Sequence, residues 1–200
     1  MPRRIVRPPV PPAPDRGRLQ EAALAHLARY AATRAGLIRV LDRKIDRWAR
    51  AATAERPDAS DETAAAVEAA RTDARALVDR LVSAGAVDDA AFAATRARRL
   101  AREGKSRVAV SAHLTAKGVP PAVTADVLPD DEEYEVGAAL SLARRRRLGP
   151  FRRTTEIDAA GKMREMSVVA RGGFSRGIAE RALAMTLDEA EDFLRRLRES

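Results

Sequence analysis

The chain has no cysteine. Disulfides, thiolate nucleophiles and zinc–thiolate sites are therefore excluded. Histidine is nearly absent as well, and the two present, His26 and His113, sit in separate helical patterns as helix-surface or boundary residues. No nucleophile–base pair, phosphate loop or metal-ligand set can be assembled, so neither an enzyme nor a cofactor is expected. Gly172-Gly173 lacks the preceding strand that a phosphate-binding loop requires. No apolar run approaches the roughly 18 residues needed to cross a bilayer. The basic N-terminus continues into proline instead of an apolar signal core, so the expected location is the cytoplasm, with no membrane partner. Aromatic residues make up only 4% of the chain, and much of the 46% apolar fraction is alanine. Such residues bury little area each, so any core is thin and needs many helix–helix contacts.

What is abundant is alanine, leucine, arginine and glutamate, the strongest helix formers. Apolar residues recur at helical spacing, with no strand-like alternation, and the expected class is all-α. Residues 1–17 hold most of the prolines and read as a disordered Pro/Arg-rich arm. Helical periodicity begins near Arg18. Leu37, Val40, Leu41 and Ile45 mark a second helix that Thr33 can cap. A charged, alanine-rich insertion at about 46–76 reads as helix, break, helix around Pro57. Trp48 stands inside it, either packed on the first bundle or exposed. A helix carrying Leu77 and Val78 then runs to Ala84 and stops at Gly85. Asp88-Asp89 opens a helix ended by Gly104. Ser106 caps the next, which stops at Gly118. Pro120 or Pro121 starts another, ended by Pro129. A helix from about Asp131 to Arg147 precedes Gly149-Pro150, one from Glu156 to Ala170 precedes Gly172-Gly173, and one opens at Ser175. Thr186-Leu187-Asp188-Glu189 is a capping box.

Self-comparison shows an internal repeat. A shift of 73 lays Ala28-Arg29 on Ala101-Arg102, Thr33-Arg34 on Ser106-Arg107, Leu41 on Leu114 and Lys44 on Lys117. A shift of 55 lays Lys117-Gly118-Val119-Pro120 on Gly172-Gly173-Phe174-Ser175. The unit is three helices, present three times: 18–84, 85–129 and 130–185, with a capping helix at 186–200.

The formal net charge is +8, which favours a polyanion or an acidic surface as partner. A coding bias that enriches Arg and Ala everywhere is the competing source, so the distribution matters more than the sum. Between 92 and 118 stand Arg96, Arg98, Arg99, Arg102, Lys105, Arg107 and Lys117 against Glu103 alone. Arg144, Arg145, Arg146 and Arg147, followed by Arg152 and Arg153, form the densest run. Two readings stand for both blocks: a solvated face, or contact with phosphate or acidic protein. With no aromatic among Arg144 to Arg147, a base-stacking platform is disfavoured. Between the blocks lie Asp126, Asp130, Asp131, Glu132, Glu133 and Glu135. That alternation suits a partner of alternating charge, or these acids pair internally across repeats. Asp88 and Asp89 suit a helix start, where a carboxylate meets free N–H groups and the helix dipole; direct partner contact is the other reading. Phe92 reads as core.

The segment Gly85-Ala86-Val87-Asp88-Asp89-Ala90-Ala91-Phe92-Ala93 resembles the most recognisable stretch of the RecX family. The resemblance continues through Gly104, Arg107, Leu114 and Lys117-Gly118-Val119, then Gly149-Pro150-Phe151-Arg152 and Gly173-Phe174-Ser175. It covers about residues 20–45 and 77–185. The long insertion departs from the pattern, as does the turn before Phe174, where only Arg171 and Gly172 stand for the family's basic residues. The resemblance implies three tandem three-helix repeats forming an elongated, curved protein, expected as a monomer. It implies binding along the groove of the RecA–DNA filament, with restraint of ATP hydrolysis, strand exchange and repressor self-cleavage, and hence a role in DNA repair and the SOS response. Some members also bind DNA directly. The contact candidates are the seven basic residues of 96–117, Arg144 to Arg147, and Arg152. Gly85, Asp88, Asp89, Phe92, Gly118, Gly173 and Phe174 carry the family motif and read as structural. The rival reading is a helical protein that binds DNA non-specifically without a recombinase.

Overall fold

The computed structural model describes residues 12–128, 130–154 and 157–199, apart from the side chain of residue 198. Among them every regular element is helical. Pro129 and Glu156, expected at helix boundaries, and the first eleven residues of the arm lie outside the described residues. The chain divides into two compact units, 1–89 and 90–200.

The first unit contains α1 (Arg16–Leu27), α2 (Arg34–Glu55) and α3 (Ser60–Ser83). Helix α1 begins two residues before the expected start at Arg18. The Asp15 carboxylate accepts from the Arg18 amide at 2.8 Å and satisfies a donor the first turn would leave free. Thr33 caps α2 through the Gly36 amide at 2.9 Å. The core consists of Leu19 and Ala23 from α1, Leu37, Leu41 and Ile45 from α2, and Ala70, Ala74, Leu77 and Val78 from α3, closed by Val87. Leu37, Leu41 and Ile45 recur every four residues and are fully buried. Each contributes on the order of 2 kcal/mol through the area it removes from water.

The charged insertion is not a separate element. It is the far half of α2 and the near half of α3, which run 22 and 24 residues as a long hairpin around one 3₁₀ turn, Pro57–Ala59. Arg71 ties the hairpin together, bonding Asp46 at 2.9 Å and Glu68 at 3.1 Å. The Asp46 bond is the main reason its guanidinium holds its proton more tightly than usual. Trp48 is half-buried and lines a groove with Pro12, Ala13, Ala52 and Ala66, which places it against the hairpin.

The second unit holds α4 (Asp89–Arg102, its first residue at the unit boundary), α5 (Arg107–Lys117), α6 (Pro121–Val127), α7 (Glu132–Arg146), α8 (Ala159–Arg171), α9 (Arg176–Ala184) and α10 (Leu187–Glu199). One core gathers Ala93, Ala97 and Leu100 of α4, Val110 and Leu114 of α5, and Val119 and Leu128 around α6, with Phe92 and Tyr134 packed against it. Burial, reinforced by Glu135, raises the Tyr134 phenol above its ordinary range. A larger core joins Val136, Ala139 and Leu140 of α7, Val169 of α8, Ile178 and Ala182 of α9, and Phe193 and Leu194 of α10, with Phe174 plugging the α8–α9 turn. The equivalences of the two shifts hold locally. Leu41 and Leu114 are both fully buried, and Val119 and Phe174 both follow a glycine of positive φ, Gly118 and Gly173.

Two boundaries differ from the sequence reading. Helix α7 is ended by Arg147, not by Gly149-Pro150: Arg147 itself takes the left-handed conformation, at φ 58°. Gly149, Pro150 and Phe151 then form a 3₁₀ turn. Helix α8 starts after Asp158, whose carboxylate accepts from the Gly161 amide at 2.7 Å. The capping box forms as expected: the Thr186 amide donates to Glu189 at 2.8 Å and the Glu189 amide to Thr186 Oγ1 at 3.3 Å.

Candidate functional site

The basic residues nominated from sequence divide into those the fold consumes and those it presents. Arg152 is consumed. It bonds Glu165 at 2.7 Å, and Glu165 also accepts from the Gly149 amide at 3.0 Å while only 8% exposed. A carboxylate so enclosed needs these donors, and together they clamp the 3₁₀ turn to α8. Arg107 is half-consumed: its guanidinium pairs with Asp130 at 3.0 Å and its amide donates to Glu135. Arg96 lies half-buried, 6.0 Å from the centre of the Phe92 ring.

Glu132 pairs with Arg181 at 2.8 Å, and Asp131 caps its own helix by accepting from the Glu133 amide. With Asp130 and Glu135 on Arg107, much of the acidic block is therefore spent inside the unit, which favours internal pairing over a partner of alternating charge. Asp89 stands in the first turn of α4, as expected, and does more than the sequence reading gave it. Its carboxylate accepts from the Arg34 amide, 2.7 Å away, at the N-terminus of α2. The physical attraction is the expected one, free N–H groups and the positive end of a dipole, but it belongs to another helix. Glu135 does the same for α5 through the Arg107 amide.

The presented cations converge. Gly104 has φ 76°, and its backbone lies so close to α7 that a Cβ there would stand 2.6 Å from the Leu142 amide nitrogen. This contact brings the C-terminal turn of α4 beside the C-terminal turn of α7. There the Arg145 guanidinium donates to the Glu103 carbonyl. Two blocks about forty residues apart in sequence thus share one corner, where the negative ends of two helices favour cations. Glu103 is the carboxylate among them. Its bond from Arg99, at 2.9 Å, is the main cause that lowers its pKa, helped by Arg145 and Arg96. Arg144 bonds Glu191 at 3.0 Å and lies 4.9 Å from the centre of the Phe151 ring. Arg98, Arg102, Lys105, Arg146 and Arg147 are exposed, and among the described residues none has an ion-pair partner. Lys117 is exposed at the end of α5 and bears on His113. Burial chiefly, then Arg96 and Lys117, depress the His113 imidazole.

Ser106 joins this corner to the last turn of α8. Its hydroxyl accepts from the Ala109 amide and donates to the Gly172 carbonyl at 2.8 Å. Gly173 is the neighbour that allows it, since a Cβ there would stand 2.6 Å from Ser106 Oγ. The sequence reading saw the cap but not the second bond, and it did not single out Glu103 or Glu165.

No helix among the described residues is long and apolar enough to cross a membrane, and no group of three or more His, Asp or Glu there could hold a metal. The fold and this corner define an all-α protein of three-helix domains with a concentrated cationic surface. A family model described as RecX, second three-helix domain, matches residues 88–128, which span α4 to α6. Regulatory protein RecX of Myxococcus xanthus is 39% identical over 167 residues, covering 82% of this chain and 83% of that protein. Proteins of the same name from Agrobacterium fabrum and Mycobacterium marinum are 40% and 41% identical over 54% and 52% of this chain, and 58% and 60% of their own lengths. The chain belongs to the RecX family of regulatory proteins.

Proposed function

We propose that this protein binds the RecA–DNA filament as a cytoplasmic monomer and restrains recombinase activity in homologous recombination and the SOS response. Contact runs through the corner formed by Arg98, Arg102 and Lys105 with Arg146 and Arg147. The observation that carries this reading is the bond from Arg145 to the Glu103 carbonyl, which merges two basic blocks into one surface. Val108, 68% exposed, stands three residues from Lys105 and offers an apolar anchor of the kind a protein partner desolvates. That feature favours a protein-bearing filament over naked DNA, because phosphate contact alone needs no such residue.

The test is DNA-dependent ATP hydrolysis by the cognate RecA. Inhibition is expected well below one molecule of this protein per recombinase. The variant R98Q/R102Q/R146Q/R147Q is expected to need at least ten times more protein for the same inhibition, a loss of about 1.4 kcal/mol. Hydrolysis unaffected by the native chain refutes the proposal. Inhibition that begins only when the DNA is coated transfers the function to the rival, non-specific DNA binding.

A further inference from the structure

The first unit carries a second cationic surface, separate from the corner described above. On α2, Arg39, Arg43, Arg47 and Arg50 follow one another at spacings of four, four and three residues. At 100° per residue they fall within about 80° of the helix circumference. That sector lies opposite Leu37, Leu41 and Ile45, which fill the core. All four arginines are exposed. They cover about 16 Å along the helix.

Five acids of this unit are engaged with other arginines, while Asp42 stands on α2 itself, near the edge of the arginine sector. Asp46 and Glu68 hold Arg71, Asp73 holds Arg16, Asp79 holds Arg34 and Glu62 holds Arg56. Among the described residues, Arg43, Arg47 and Arg50 have no ion-pair partner. A solvated face serves solubility best with mixed signs, whereas the sector itself holds four arginines and no acid; at its edge Asp46 is held by Arg71, and Asp42 lies further round the helix.

We infer that the outward face of α2 is a docking surface for the phosphate backbone of double-stranded DNA, bound without regard to sequence. Charge complementarity selects a polyanion. A protein partner is disfavoured because none of the exposed large apolar residues lies on α2, so the face has no anchor to desolvate. A single strand is disfavoured for a related reason: non-specific single-strand sites stack bases on aromatic rings, and Trp48, the aromatic residue of α2, belongs to the half-buried opposite side. A straight row of guanidiniums instead suits a rigid backbone carrying one charge per about 1.7 Å of axis. The inference does not depend on the recombinase reading, because it concerns a different surface and a different binding measurement.

The experiment uses the full chain in which R98Q/R102Q/R146Q/R147Q has already silenced the corner. Fluorescence anisotropy follows binding to a mixed-sequence 20-base-pair duplex, to a single strand of equal length and to poly-glutamate, across a potassium chloride series. Adding R43Q/R47Q/R50Q is expected to weaken duplex binding at least tenfold at about 100 mM salt. It should also reduce the slope of log affinity against log salt by about 2 to 3, roughly one per lost phosphate contact. Circular dichroism should stay unchanged, since all three side chains are exposed. Unaltered duplex affinity and slope overturn the inference. So does a loss as large on the single strand, or a loss confined to poly-glutamate.

Discussion

Gly85 and Gly104 look alike in sequence: each follows a helix, and each adopts a left-handed backbone, at φ 71° and 76°. Their surroundings differ. An added Cβ at Gly85 would meet nothing within 4 Å, whereas at Gly104 it would meet the backbone of Leu142 at 2.6 and 2.7 Å. The first glycine only turns the chain. The second turns it and admits a neighbouring helix to a distance no side chain permits. The same contrast runs through the two units. The first is held by a long hairpin with half-exposed ion pairs on its flank. The second is held by close backbone approach, and its basic corner depends on that approach.

The largest expected effect tests this difference directly. Gly104→Ala combines left-handed strain with a clash against backbone, and should cost about 3 kcal/mol or more. Gly85→Ala carries the strain alone and should cost about 1 kcal/mol. Urea unfolding of the two variants checks the order, and equal losses would erase the distinction between the glycines. A smaller effect separates the ion pairs. Glu165→Ala strands the Gly149 amide and leaves Arg152 only partly hydrated, and should cost about 2 kcal/mol. Asp46→Ala removes a bond between side chains 34% and 39% exposed, and should cost well under about 1 kcal/mol.

The smallest effect is the pH dependence of His113. The depressed imidazole means that the folded state prefers the neutral form, while the unfolded chain takes up its proton near the usual value of about 6.5. The stability it contributes is complete above that pH. It declines as pH falls from there to the lower folded-state value, then levels off. The shift of 73 lays His113 on Val40, so the first unit has no counterpart at this position. Denaturation midpoints between pH 5 and 7.5 should slope in the native chain and flatten in His113→Gln. A slope that persists would assign the titration to another group.

Much of the fold was legible because its signals are local. Thr33, Ser106 and Ser175 each precede a helix and cap it, and Gly118 ends α5 in the left-handed conformation, as short-range hydrogen bonding requires. The buried leucines at 41 and 114 were readable from period and repeat together. The start of α8 was placed too early, ahead of its Asp158 cap. The end of α7 was placed correctly to within a residue but credited to Gly149-Pro150, because an arginine in the left-handed region is not anticipated from residue type. The insertion read as helix, break, helix, but not as a continuation of α2, since charge and alanine suit a helix of any length.

The candidate site was legible as residues and not as geometry. Both basic blocks were visible, but their meeting rests on Gly104 packing on Leu142, a contact nearly forty residues away in sequence. Arg152 and Arg107 looked equivalent to Arg98 and Arg102 until Glu165 and Asp130 were seen to hold them. Asp89 illustrates the same limit, because a carboxylate at one helix start was read as serving that helix and also bonds the amide that opens another. The α2 stripe escaped notice for the opposite reason. Its four arginines are spread over twelve residues and form no run, though their spacing is a helical one.

The central claim is that the joined ends of α4 and α7 are the surface that meets the recombinase filament. Amide hydrogen exchange of the full chain, free, on DNA alone and on assembled RecA–DNA filament, measures this most directly. The account predicts slowed exchange at 98–108 and 143–148 on the filament, and clearly more than on DNA alone. Unchanged exchange in both segments on the filament, or protection that DNA alone reproduces in full, would contradict it.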